Sequence, residues 1–147
     1  MGGIDTDPCA SINSKHWFAN SDDGNITERL DGLNHGWYGR VFINPPYGKI
    51  KTWVKKGFLE HTQGRATQQM WLVPGRGMET KWWFELMSYC RIFAIKRRRI
   101  TFEGAKMGAQ FPSALCYSVA DKNERVEREE LFIRQVKQAG YIPYRKA

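Results

Sequence analysis

Val41-Phe42-Ile43-Asn44-Pro45-Pro46-Tyr47 reads as a short buried strand that ends abruptly in a rigid loop. Three apolar residues are too few for a helix, and the prolines cannot extend a ladder, because each fixes its own φ and lacks an N–H. The residue before a proline is pushed out of the helical region, so Asn44 and Pro45 are both held extended. The loop therefore presents acceptors rather than donors. The Asn44 side-chain oxygen and the Pro45 carbonyl can converge on one amino group, with Tyr47 close enough to stack on the flat ring carrying it. The exocyclic amine of a base needs this. Its lone pair is delocalised into the ring, and two acceptors drawing on its protons favour a tetrahedral, nucleophilic nitrogen and stabilise the positive charge that develops there. The natural electrophile for such an amine is a sulfonium methyl. A stiff strand exit with no chemistry is the plain alternative, since Asn-Pro and Pro-Pro both punctuate chains.

Outward from this loop, apolar runs alternate with helix-spaced segments, the pattern of an α/β domain with a largely parallel sheet. Ile50, Trp53, Val54, Gly57, Phe58 and His61 recur at helical spacing, so Lys49 to Thr62 is expected to form an amphipathic helix with its lysines in water. Met70 to Val73 reads as a buried strand and Glu79 to Tyr89 as a helix. Arg91 to Ile95, Arg99 to Phe102 and Ser113 to Val119 read as strands. Asp121 to Ala139 is a charged helix stopped by Gly140. Gly3 to Thr6 reads as a first strand running into Asp7-Pro8. Ligands of open α/β sheets bind beyond the carboxyl ends of the strands, where the Asp7 and Asn44 loops would both lie. Trp71, Trp82, Trp83 and Phe84 are expected in the core, as bulky aromatics usually are.

The chain has 147 residues, enough for one domain with a substantial core. Lys and Arg number 23 against 15 Asp and Glu, a net charge of +8, which points to a polyanionic partner, nucleic acid above all. The positive charge clusters at Lys96-Arg97-Arg98-Arg99, at Lys49, Lys51, Lys55 and Lys56, and at Arg76 and Lys81. Lys49, Lys51, Arg76, Lys96, Arg97, Arg98 and Arg99 are the expected contacts to nucleic acid, and the Gly75–Thr80 and Gly104–Gln110 loops are candidates for reading sequence. Cys9, Cys90 and Cys116 are odd in number and widely spaced, so they read as reduced thiols in a cytosolic protein, not as a zinc site or disulfide framework. His16, His35 and His61 form no ligand-spaced group, so no metal is expected. No apolar stretch approaches the roughly 18 residues of a membrane span, and Met1-Gly2-Gly3 opens no signal peptide.

Two further segments carry chemistry. In Asp7-Pro8-Cys9-Ala10-Ser11, small residues let a ligand approach the backbone while Asp7 supplies a carboxylate for an ammonium or hydroxyl group. In Asp31-Gly32-Leu33, between Leu30 and Trp37, a carboxylate beside apolar groups can hold an adenine amino group in a greasy slot. Each also reads as an Asp-initiated turn.

The order Asp7-Pro8, Asp31-Gly32-Leu33, Asn44-Pro45-Pro46-Tyr47 resembles the S-adenosylmethionine-dependent amino-methyltransferases. More closely, the chain resembles the phage-type, Dam-like DNA N6-adenine methyltransferase family. The likeness rests on Asp7 to Ser11, Leu30 to Leu33, Trp37 to Gly48, Trp53-Val54-Lys55-Lys56, Leu72-Val73-Pro74-Gly75-Arg76 with Trp82-Trp83, Arg99-Ile100-Thr101-Phe102, and Phe111-Pro112-Ser113-Ala114-Leu115. It covers about residues 4–119, leaving 121–147 as a carboxyl-terminal helix and tail.

The resemblance implies a compact single domain over residues 1–147 with a Rossmann-like S-adenosylmethionine-dependent methyltransferase fold. It implies methyl transfer from that cofactor to N6 of a flipped adenine in DNA, in the cytoplasm of a bacterial host, by a phage or prophage protein. Asp7, Pro8, Cys9 and Ala10 would border the methionine part of the cofactor, and Asp31 and Leu33 its adenine. Asn44 would lie at the junction of cofactor and target base, and Asn44, Pro45, Pro46 and Tyr47 would carry the catalysis. Asp22, Asp23 and Glu28 are all possible partners for the ribose. The residues leave open a methyltransferase acting on RNA or on a protein glutamine amine, and a nucleic-acid-binding protein that has lost catalysis through a shortened amino terminus.

Overall fold

The computed structural model describes residues 3–10, 31–96 and 112–147. Through them run β1 (Gly39–Ile43), a 3-10 turn at Tyr47–Lys49, α1 (Ile50–Thr62), β2 (Ala66–Pro74), α2 (Lys81–Tyr89), β3 (Ile92–Lys96), β4 (Ser113–Val119), α3 (Arg125–Gln138) and β5 (Tyr141–Arg145). The strands form one sheet in the order β1-β2-β4-β3-β5.

The sheet is mixed, which corrects the expectation of a largely parallel one. β1 and β2 pair in parallel, whereas β4 is antiparallel to both β2 and β3, and β5 is antiparallel to β3. Apolar runs specify that a segment is a strand; its neighbour and direction are set by contacts distant in sequence. β4 follows β3 in the chain yet lies between β2 and β3. Because β4 runs antiparallel to both, β1, β2 and β3 still point the same way, and their carboxyl ends share one edge.

The first expected strand, Gly3 to Thr6, is reduced to a single parallel bridge between Thr6 and Val41. Asp7 ends it at once by starting a turn, its Oδ1 accepting the Cys9 N–H at 3.1 Å and its carbonyl the Ala10 N–H at 3.1 Å. The expected strand Arg99 to Phe102 lies outside the described residues. The expected carboxyl-terminal tail after α3 contains an edge strand, β5, reached through the turn at Gly140.

Alternation along the strands sorts side chains into two cores. Val41, Ile43, Trp71, Val73, Ala114 and Cys116 face one side, where Trp53 and Val54 of α1 and Trp83 and Leu86 of α2 cover them. Ile92, Ala94, Tyr117 and Val119 face the other side and meet Phe132 and Val136 of α3, with Tyr117 stacked on Phe132 at 4.3 Å between centroids. The result is three layers, helix on sheet on helix.

β2 extends well beyond the expected Met70–Val73 because its polar residues are satisfied inside the protein. Gln68 and Gln69 are buried; the Tyr117 hydroxyl donates to Gln68 Oε1 at 2.6 Å, and Gln69 Nε2 donates to the Gly57 carbonyl at 2.9 Å. Trp71, Trp82 and Trp83 are buried as expected, but Phe84 is 65% exposed and Phe58 is 50% exposed. The buried stripe of α1 is Ile50, Trp53, Val54, Gly57 and Glu60, which leaves Phe58 on its rim; Phe84 lies off the Trp82-Trp83-Leu86-Met87 stripe of α2 in the same way.

Candidate active site at the carboxyl edge of the sheet

β1 stops at Ile43, opposite Trp71, while β2 runs on through Leu72, Val73 and Pro74. The two prolines after Asn44 explain the early stop, since neither can donate to a ladder. Pro45 is buried and Pro46 is exposed and extended, with φ −61° and ψ 127°. The Pro46 carbonyl accepts the Lys49 N–H at 3.0 Å, which closes the turn that starts α1. Asn44 is half-buried and Tyr47 is 40% exposed.

The step between the strand ends leaves a cleft of about 500 Å³ lined by Tyr47, Ile50, Pro74, Arg76, Gly77, Glu79 and Trp82. Tyr47 and Trp82 give it two aromatic walls, and Arg76 and Glu79 bring charges of opposite sign. Trp82 is 7% exposed, so it belongs to the core as expected and also faces the cleft. Glu79 and Ile50 were not anticipated as walls. The signal available in the sequence was position: Glu79 and Trp82 follow a glycine-flanked arginine, Gly75-Arg76-Gly77, directly after a strand.

The Asp7 and Asp31 loops lie together beside this edge. The Phe42 N–H donates to the Thr6 carbonyl at 3.0 Å, so Asp7 to Ala10 leave the sheet alongside the residues that follow β1. Gly32 is pressed against Pro8, and a Cβ at Gly32 would overlap the Pro8 carbonyl oxygen; any other residue there would separate the two loops. Pro8 and Ala10 are buried, while Cys9 and Leu33 are partly buried and pack on the α1–α2 core. Asp31 is exposed; its Oδ1 accepts the Leu33 N–H at 3.0 Å and its Oδ2 the Asn34 Nδ2 at 2.7 Å. Asp22, Asp23 and Glu28 lie outside the described residues.

Behind the Asp31 turn sits a buried ion cluster that the sequence reading missed. Glu60 is fully buried and is met by Lys56 Nζ at 2.7 Å, by Arg65 through Nε and NH2 at 3.0 and 2.9 Å, and by the Trp37 N–H at 3.1 Å. Burial pushes the Glu60 carboxyl upward, but donation from Arg65, Lys56 and the Trp37 N–H outweighs it and holds the group below its ordinary value. The Lys56–Glu60 spacing of four on one helix was its only local sign. Lys56 is consequently not one of the helix's freely solvated lysines.

Of the expected nucleic-acid contacts, Lys49, Lys51 and Arg76 are exposed and lie on the elements that flank the cleft. Lys96 ends β3, on the same edge of the sheet as Asn44, with its Nζ 5.2 Å from the centre of the Tyr141 ring. Arg97, Arg98, Arg99 and the Gly104–Gln110 loop lie outside the described residues. Among the described residues, no His, Cys, Asp and Glu group has the makeup of a metal site, and no helix is long and apolar enough to cross a membrane.

A comparison with the curated proteins finds no match. Residues 11–131 match the family model described as DNA N-6-adenine-methyltransferase (Dam).

Proposed function

The chain belongs to the DNA N-6-adenine-methyltransferase (Dam) family, and on that premise we propose that it transfers a methyl group from S-adenosylmethionine to N6 of an adenine flipped out of DNA. The observation that carries this reading is the gathering of Asp7–Ala10, Asp31–Leu33 and Asn44–Tyr47 at one edge of the sheet, the first two loops in direct contact at Pro8 and Gly32.

The donor set suits the cofactor. Two carboxylates, Asp7 and Asp31, match an ammonium group and an adenine amine or ribose hydroxyl; Leu33 and Ala10 supply apolar surface, and Cys9 a small residue in the loop. When bound, S-adenosylmethionine supplies an electrophilic methyl on a sulfonium. The sheet carrying these loops would then be a Rossmann-like methyltransferase sheet.

The Asn44 side-chain oxygen and the Pro45 carbonyl accept hydrogen bonds from the two N–H groups of the adenine amine, shifting its lone pair out of conjugation and stabilising the positive charge that develops on nitrogen as the methyl–sulfur bond breaks. Tyr47 stacks on the base, and Trp82 closes the cleft from the other side. Pro45 is buried, which holds the main chain of this acceptor in place two residues before Tyr47 of the cleft wall. A cleft with two aromatic walls compensates for the stacking that a flipped base loses. Exposed Lys49, Lys51 and Arg76 hold the flanking phosphates, and Lys96, which ends β3 on the same edge of the sheet, adds positive charge there. A DNA-modification role of phage type belongs to this reading.

The test is to incubate the protein with isotopically labelled S-adenosylmethionine and unmethylated DNA, digest to nucleosides and look for labelled N6-methyladenosine. The label appears with the native protein and vanishes with Asn44→Ala. Its absence from folded native protein that binds both DNA and cofactor refutes the reading.

A further inference from the structure

We infer that Trp37 is a positioning residue for the cofactor: its indole N–H sets the place of the Asp31–Leu33 turn, so it governs S-adenosylmethionine affinity without touching the cofactor. The inference rests on the proposed use of that cofactor and of Asp31. Trp37 is fully buried and tied at both ends. Its main-chain N–H donates to Glu60, and its Nε1 donates to the Gly32 carbonyl at 2.7 Å. Gly32 is the middle residue of the turn and the one that presses on Pro8.

The position of Trp37 is itself fixed. Its ring stacks on Trp53 at 6.0 Å with 24° between planes and leans on Trp71 at 6.1 Å, while Glu60 is locked by Lys56 and Arg65. Position is thus transmitted from the buried ion cluster, through one rigid side chain, to the main chain of the Asp31 turn. The Leu33, Asn34 and His35 N–H groups all return to Asp31. These bonds set the shape of the turn, and the Trp37 indole meets it from outside. The indole bond ties the turn to the aromatic cluster, and through Gly32 it also bears on the packing of the turn against the Asp7 loop. Without that donor the buried Gly32 carbonyl seeks another partner and the turn shifts away from its neighbour.

The experiment measures S-adenosylmethionine binding by calorimetry on the native protein, Trp37→Phe and Trp71→Phe, together with hydrogen exchange of the 31–35 amides. Trp71 is the control: it is equally buried in the same aromatic cluster, but its Nε1 donates to Gln69, not toward the site. The expected result is about tenfold or more weaker cofactor binding and faster exchange at 31–35 for Trp37→Phe, with Trp71→Phe within about twofold of native. In turnover, Trp37→Phe should raise the cofactor KM and leave kcat within about threefold.

Equal weakening in both variants would mean general loosening of the core and would overturn the inference, as would native affinity in Trp37→Phe. Should Trp37→Phe not fold, replacing the indole by its benzothiophene analogue keeps the ring shape, removes only the N–H, and is read the same way. Failure of the native protein itself to bind the cofactor is a separate result: it refutes the cofactor reading, and this inference falls with it.

Discussion

Oδ2 of Asp5 accepts both the main-chain N–H and the Nε of Arg40, each at 2.8 Å, while Oδ1 takes Arg40 NH2 at 2.7 Å. This fork fastens the segment leading to the Asp7 loop onto β1. Arg40's side-chain and main-chain donation together lower the Asp5 carboxyl from 3.8 to about 2. A depressed carboxylate contributes stability that is complete above its unfolded value and disappears as pH falls through its folded value. The pair is substantially exposed, so the contribution is small and screened by salt. Asp5→Asn should lower the melting temperature slightly at pH 7, and the native and variant curves should converge between pH about 4 and about 2. A gap that stays constant across that window would remove Asp5 titration as its cause.

Glu60→Ala strips the acceptor from Lys56, Arg65 and the Trp37 N–H at once. Breaking a buried pair by deleting one partner typically costs about 3–5 kcal/mol. Urea denaturation should report a loss in that range, the largest among single charge deletions in α1.

Gly57→Ala tests how closely α1 lies on the sheet. Alanine in a helix interior normally gains up to about 1 kcal/mol over glycine. Here the added Cβ would run into the Trp71 ring and approach the Tyr89 hydroxyl to 2.7 Å. Trp71 is fully buried and cannot yield cheaply, and overpacking costs about 1–3 kcal/mol. The expected sign is therefore destabilising; a stabilised variant in thermal melts would show that the helix can lift off.

Tyr47→Phe keeps the stacking face and should leave DNA KM within about threefold of native. Tyr47→Ala removes it, and stacking worth about 1–3 kcal/mol per base converts to roughly a 5- to 150-fold loss. Steady-state methylation with DNA as the varied substrate separates the two.

Lys49→Ala combined with Lys51→Ala should weaken DNA binding on all sequences alike. The slope of log affinity against log salt should become shallower by roughly 1 for each lysine that meets a phosphate. An unchanged slope, from fluorescence anisotropy across a salt series, would move the DNA path off α1.

Features written in consecutive residues were readable before the fold was known. The end of β1 at Asn44 follows from two prolines, the span of α1 from its apolar spacing, and the stop of α3 from Gly140. What eluded sequence reading depends on partners far apart in the chain. Tyr141–Arg145 carries a proline and a half-exposed face, so nothing local marks it as a strand; only the open edge of β3 makes it one. Glu60 looks like one more surface charge on a lysine-rich helix until Arg65 and Trp37 converge on it from outside that helix. Phe58 and Phe84 fit apolar spacing yet lie one step off the covered stripes. At the site, the three motif loops were identifiable, but Glu79 joins Trp82 in the cleft only because β2 outruns β1.

The placement of β4 between β2 and β3 has a bearing on how the protein comes to be made. As the chain leaves the ribosome, β1, β2 and β3 all emerge while the slot between β2 and β3 is still empty, because its occupant is residues 113–119. A nascent chain ending short of Ser113 lacks β4 and β5 alike, so one edge of β2 and both edges of β3 are without those partners, the kind of surface that recruits chaperones or stray partners. Synthesis must run to Val119 before the middle of the sheet can close, although every residue that lines the cleft has been made well before that point.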